Sequence, residues 1–176
     1  TNDAAIAERL DAIAYPGLTA NFDAAKSAAL AMTLLDWKVH GRAYGRAMAE
    51  TAKALASALA AEGVPVFARD RGMTTSHQFA LEAAPFGGGQ TAARMLRQAN
   101  ILSCGIGLPI ADVAGDLNGL RLGTPEIVRW GMTPADMPVL ARLIADVLTG
   151  RRAAQSVAPE VTEFRRRFAK LHFIRS

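Results

Sequence analysis

Ala28, Met32, Leu35 and Val39 recur every three or four residues, the spacing of one face of a helix, and predict a long helix from Asp23 to Ala61. A shorter helix from Ala4 to Ala14 precedes it and is ended by Tyr15-Pro16-Gly17. Gly41 and Gly45 suggest a bend or a close helix contact within the long helix, and Gly63 caps its end. Beyond Gly63 the period shortens towards alternation. VPVFA (64–68), HQFALEA (77–83), ILS (101–103) and NGLRLGT (118–124) predict short strands, and GGGQTAARMLRQAN (87–100) a glycine hinge followed by a helix. Thr133 opens a further helix, with Pro134 at its first position and Asp136 completing a capping box. Met137, Leu140, Ile144 and Leu148 line one face of that helix, and Gly150 stops it. A last helix carries Val161, Phe164, Phe168 and Leu171 on one stripe, with Arg165, Arg166 and Arg167 between them. The sum is an α+β fold: a long N-terminal helix, then a small, mostly antiparallel sheet covered by helices. It divides into a helical segment, 1–61, and a small α+β domain, 62–176.

Composition narrows the class. Apolar residues make up 51% of the 176 and charged residues 20%, enough for a core and unlike a disordered chain. The single Cys104 excludes an internal disulfide and fits a reducing, cytoplasmic setting. The longest uncharged runs fall short of the roughly 18 apolar residues a membrane span needs, so no membrane association is expected. The net charge of +4 hints at nucleic acid, but the basicity is local. From Arg151 onward there are seven Arg/Lys against two Asp/Glu; the remaining 150 residues hold 13 basic and 14 acidic side chains. A solvated or partner-packed helix face accounts for that better than a nucleic-acid surface.

Most candidate chemistry reduces to structure. Gly87-Gly88-Gly89 lacks the lysine and Ser/Thr of a phosphate loop and reads as a flexible helix start. Cys104 sits in an apolar run and reads as a buried structural thiol. His40, His77 and His172 have no metal-site spacing, so no metal is expected. His77, at the mouth of a strand, is a candidate for a supporting hydrogen bond. Arg121 is different: it stands between Leu120 and Leu122 in a short strand, just before Gly123-Thr124-Pro125. A guanidinium there must either pair with a carboxylate of the chain, Glu126 being the nearest, or face a ligand. Its planar fork suits a substrate carboxylate bound through two hydrogen bonds. The residues alone leave both readings open.

NGLRLGTPEIVRWGMTPADMPVLARLIADVL (118–148) resembles the C-terminal domain of serine hydroxymethyltransferase, whose Gly-[Ile/Leu]-Arg-[Val/Leu/Ile]-Gly-Thr-Pro stretch is followed by a similar helix. AIAYPGLTANFDAAKSAALAMTL is similar to the family's Phe-Pro-Gly segment and the helix after it, TTSHQFALE to its Asn-His-Leu strand and RQANIL to its Ala-Asn-Ile strand. The family's members are fold type I pyridoxal-phosphate enzymes that cleave or form the Cα–Cβ bond of β-hydroxy amino acids, and they act as homodimers. The resemblance implies that Arg121 binds the substrate α-carboxylate, with His77 and Thr124 supporting it and Gly17 near the cofactor. It also implies serine–glycine one-carbon transfer with pyridoxal phosphate, and with tetrahydrofolate as a possible acceptor.

Three departures qualify this. The family's cofactor lysine lies in a Thr-Thr-His-Lys-Thr stretch, and none of Lys26, Lys38, Lys53 or Lys170 has that setting. No catalytic residue is therefore expected in this chain, and the cofactor is expected on an N-terminal large domain upstream. The family's Pro-Gly-x-Gln-Gly-Gly-Pro loop reads PGLTANFD here, keeping Pro16-Gly17 only. An Asn-Ser pair that helps hold folate is replaced near Ile106-Gly107, in the apolar run CGIGLPIADVAGD. A folate-independent aldolase or transaldolase on the same scaffold is the alternative, and an interaction module using the basic last helix is a third reading.

Overall fold

The computed structural model describes residues 1–19 and 23–175. The chain forms two units, Thr1–Val39 and His40–Ser176, and one helix runs from the first into the second.

In the first unit, α1 (Ala4–Ala12) is capped by Asp3, whose Oδ1 accepts from the Ile6 amide at 3.0 Å. It ends two residues earlier than its apolar pattern suggests, in a wide turn over Ile13–Leu18. The reason is Pro16, which disfavours helical geometry in the residue before it; Tyr15 is extended, with φ −145° and ψ 128°. Asp23 Oδ1 accepts from the Ala25 amide at the start of α2 (Ala24–Ala61). The segment of α2 in this unit leaves Leu30, Met32, Leu34 and Val39 each more than half exposed.

The remainder of α2 belongs to the second unit, and from Tyr44 onward one of its faces is buried. The helix is unbroken through Gly41 and Gly45, and a Cβ at Gly45 would meet nothing within 4 Å, so no close contact requires that glycine. Gly63, at φ +84°, closes the helix in the left-handed conformation.

The sheet has three antiparallel strands in the order β1–β3–β2: β1 is Gln78–Glu82, β2 Cys104–Ile106 and β3 Gly119–Gly123. Phe79, Leu81, Leu120 and Leu122 alternate into one core with Leu55 and Leu59 of α2, Leu96 of α3 (Gly89–Gln98) and Leu143 and Ile144 of α5 (Met137–Leu148). Two strand expectations need correction. VPVFA makes a single bridge, Val66 to Leu81, because Pro65 has no amide to donate and Ala68 turns left-handed at φ 54°. ILS is not a strand: Asn100 reverses the chain at φ 62°, and pairing begins only at Cys104.

Thr133 and Asp136 form the capping box, with the Asp136 carboxylate accepting from the Thr133 amide and hydroxyl, each at 2.9 Å. A single tight turn over Pro134–Asp136 leads into α5, which is buried on most of its circumference. The short helix α4 (Pro125–Arg129) follows β3 directly. The last helix, α6 (Ala154–Arg166), buries Val157, Val161 and Phe164. It ends before the expected stripe does: Phe168 is half-buried and Leu171 is 47% exposed. Arg165 donates to the Phe168 carbonyl as the chain leaves the helix.

Candidate functional site

Leu120 and Leu122 are buried on β3, so alternation turns Arg121 outward, where it is exposed. The register sets it opposite Ala80 on β1 and Cys104 on β2. Directly paired residues of an antiparallel sheet share a face, so these three side chains stand together on the open side. Cys104 is therefore half-exposed beside a guanidinium, not the buried structural thiol its apolar context suggests. Among the described residues Arg121 has no side-chain hydrogen bond or ion pair. Glu126, the nearest acid in sequence, accepts from Trp130 Nε1 at 2.8 Å.

The turn after Arg121 is pinned to α2. Thr124 is fully buried, and its hydroxyl lies 2.8 Å from the Met48 carbonyl and 3.1 Å from that of His77. Its amide donates to the same His77 carbonyl at 3.0 Å. The Tyr44 hydroxyl donates to the Pro125 carbonyl at 2.8 Å. His77 thus contributes through its backbone, while its exposed ring lies with Nδ1 3.3 Å from Ser76 Oγ. Gly17 lies exposed in the Ile13–Leu18 turn of the first unit, and a Cβ there would approach the Ala12 carbonyl to 3.0 Å. Its place has a local steric reason.

Two residues that sequence reasoning missed, Asp116 and Asn118, organise the start of α3 and the 107–117 loop respectively. Asp116 accepts from the Gln90 amide at 2.8 Å, the Thr91 amide at 2.9 Å and the Thr91 hydroxyl at 2.8 Å, and from its own neighbour Leu117. The helix amides that could have cradled a phosphate are therefore occupied by the chain's own carboxylate. A Cβ on Gly89 would lie 2.0 Å from the Gly119 carbonyl oxygen and one on Gly88 2.4 Å from Asp116 Cβ, so Gly89 allows close approach to the start of β3 and Gly88 to Asp116. Asn118 is buried: it accepts from the Leu108 amide and donates to the Leu108, Ile110 and Ala111 carbonyls, holding the apolar 107–117 loop in place. A polar residue immediately before an apolar strand was the available signal for Asn118. Asp116 had none, since its partners lie 25 and 26 residues away.

The Gln90 amide, followed by the Thr91 hydroxyl and amide, lowers the Asp116 carboxyl to about 2. A depressed carboxylate contributes stability that is present above its unfolded value, roughly 3.9, and is lost as pH falls through the folded one. Thermal unfolding of the wild type should therefore lose stability between about pH 4 and pH 2. Asp116→Asn should unfold at lower temperature at neutral pH and lose this acid-dependent component. Parallel pH curves for the two proteins would refute the assignment.

All four lysines are exposed. Lys26 lies 3.7 Å from Asp23, and Lys53 donates to the Gly72 carbonyl. No group of three metal-ligating side chains occurs among the described residues.

No protein-family model matches the chain. It is 65% identical over 175 residues to an α-methylserine aldolase of Ralstonia sp, covering 99% of this chain and 40% of that protein. An α-methylserine aldolase of Variovorax paradoxus is 67% identical over 174 residues, 99% of this chain and 39% of that one. Serine hydroxymethyltransferase of Methanopyrus kandleri is 42% identical over 170 residues, with 96% and 40% covered. In three dimensions the chain is similar to L-threonine transaldolase from Pseudomonas fluorescens in its internal aldimine state: TM-score 0.78, 28% identity, 91% of this chain and 36% of that one. The chain spans about 40% of the length of the curated relatives it matches. Over nearly its whole length the chain is thus similar to the C-terminal portion of serine hydroxymethyltransferase-like, fold type I pyridoxal-phosphate enzymes.

Proposed function

We propose that the complete protein is a pyridoxal-phosphate aldolase cleaving the Cα–Cβ bond of a β-hydroxy amino acid, with Arg121 holding the substrate α-carboxylate. The observation that carries the role of Arg121 is its exposure on the sheet without a carboxylate partner among the described residues. Two planar N–H donors match a carboxylate and fix its orientation. Thr124 and the Tyr44 hydroxyl hold the turn behind it, so the strand presents the guanidinium from a rigid base. The cofactor supplies the electron sink for the carbanion left when the bond breaks. We assign its lysine and most of its phosphate contacts to an N-terminal large domain. That domain, or a second copy in a homodimer, would also cover the exposed apolar side chains of the first unit. No helix of the described residues is long and apolar enough to cross a membrane, and we place the enzyme in the cytoplasm.

Of the two activities the resemblance suggested, the aldolase is favoured over serine–glycine one-carbon transfer to tetrahydrofolate. Identity to the α-methylserine aldolases is 63–67%, against 42% for the hydroxymethyltransferase of Methanopyrus kandleri. The 107–117 loop, apolar where the family holds folate, has three of its carbonyls engaged by Asn118. Retro-aldol cleavage of an α-methylserine gives formaldehyde and alanine and needs no one-carbon acceptor. The test is formaldehyde release by the complete protein, loaded with cofactor, from α-methylserine and from serine, each with and without tetrahydrofolate. Cleavage of α-methylserine independent of folate is expected. Preference for serine with a strict folate requirement would return the assignment to hydroxymethyl transfer.

A further inference from the structure

The basic C-terminal segment has no part in the carboxylate site, yet its charges are arranged about a recess. A cavity of about 280 Å³ lies between the Trp130-Gly131 turn and the chain beyond α6, bordered by Arg167, Phe168, Lys170 and His172. We propose that it binds a small, multiply charged oxyanion, a phosphate ester or a polycarboxylate.

Charge pairing separates this group of cations from its neighbours. Arg151 pairs with Glu62, Arg152 with Glu160 and Asp146, and Arg166 with Glu163. Arg165, Arg167 and Lys170 have no carboxylate partner among the described residues, and no acid lines the cavity. Two of these cations are held by aromatic faces. The Arg165 guanidinium lies 4.5 Å from the Trp130 ring centroid, and that of Arg167 lies 5.4 and 5.7 Å from Phe164 and Phe168. A ring face fixes a guanidinium without consuming its in-plane N–H donors; Arg165 gives one of these to the Phe168 carbonyl.

The wall opposite is also built. Gly131 has φ +95°, and a Cβ there would lie 2.7 Å from His172 Nε2, so only glycine admits the imidazole. The His172 amide donates to the Arg129 carbonyl at 2.8 Å, and Phe173 stacks on Tyr44 at 5.0 Å. These contacts fasten the segment that carries Lys170 against α4 and α2. The recess matches a compact anion better than a nucleic-acid strand. Arg165 already covers a face of Trp130, which removes the aromatic platform that single-stranded binding uses.

The test uses the complete protein with its cofactor bound, so that the cofactor's own phosphate site is filled. Pyrophosphate and citrate are titrated separately by calorimetry at low ionic strength. One saturable site per chain is expected, and whichever probe binds more tightly identifies the ligand as phosphate or carboxylate. The double variant Arg167→Ala/Lys170→Ala changes two exposed side chains, and its circular dichroism should match the wild type. It should bind at least about tenfold more weakly, the loss expected for one or two charge-assisted hydrogen bonds. Arg167→Lys should retain part of the affinity, and Arg121→Lys should leave it unchanged. Absence of saturable binding, or equal affinity in the double variant, would overturn the proposal. So would tighter binding of single-stranded RNA that depends on the same two residues.

Discussion

Arg121→Lys in the complete enzyme should raise KM for its amino-acid substrate by about a hundredfold, since losing one partner of a paired, hydrogen-bonded carboxylate costs about 3 kcal/mol. Lysine keeps the charge but supplies a point donor where the fork of arginine makes two parallel hydrogen bonds. The carboxylate carries the same charge in the bound substrate and at the transition state, so the loss falls chiefly on KM and less on kcat. Arg121→Ala should lose more, and added guanidinium should restore part of it. Neither change should lower the melting temperature appreciably, because Arg121 is exposed and makes no side-chain hydrogen bond or ion pair among the described residues. Steady-state kinetics alongside thermal unfolding separates the two effects. An unchanged KM would remove Arg121 from the substrate site, and a large loss of stability would make it a structural residue.

What the chain's pattern revealed, and what it hid, follows from the range of the interactions involved. The long helix and the strand bearing Arg121 were legible because each is fixed by its own periodicity. Leu120 and Leu122 can be buried only if Arg121 points the other way. The capping box of Thr133 and Asp136 spans three residues and is equally local. Errors arose where a neighbour decides the outcome. VPVFA has strand composition, but Pro65 and the left-handed Ala68 limit it to one bridge. ILS looked like a strand until the reversal at Asn100 shifted pairing to Cys104. That shift brings Cys104 beside Arg121, a proximity that no linear spacing of 17 residues could reveal. The Asp116 cap on α3 was hidden for the same reason. The three glycines at 87–89 looked like freedom of the chain, whereas Gly89 marks the contact between the start of α3 and the Gly119 carbonyl.

The isolated 176-residue chain should neither fix pyridoxal phosphate covalently nor release aldehyde from a β-hydroxy amino acid, and the upstream domain, supplied in cis or in trans, should restore both. A cofactor lysine needs an amine that can lose its proton within reach of the substrate site. Lys26 and Lys38 stand on the part of α2 in the first unit, largely in water, and Lys26 is 3.7 Å from Asp23. Lys53 is held by the Gly72 carbonyl, and Lys170 is exposed at the border of the basic recess. The amides at the start of α3 are taken by Asp116, which removes the helix terminus that could have received the cofactor's phosphate. The chain would be incubated with cofactor, treated with borohydride and analysed by peptide mass spectrometry, while aldehyde is assayed in parallel. Substoichiometric labelling scattered over several exposed lysines is the expected background. A single lysine labelled to one equivalent per chain, with turnover, would locate the catalytic centre within these 176 residues and reverse the division of labour proposed for the two halves.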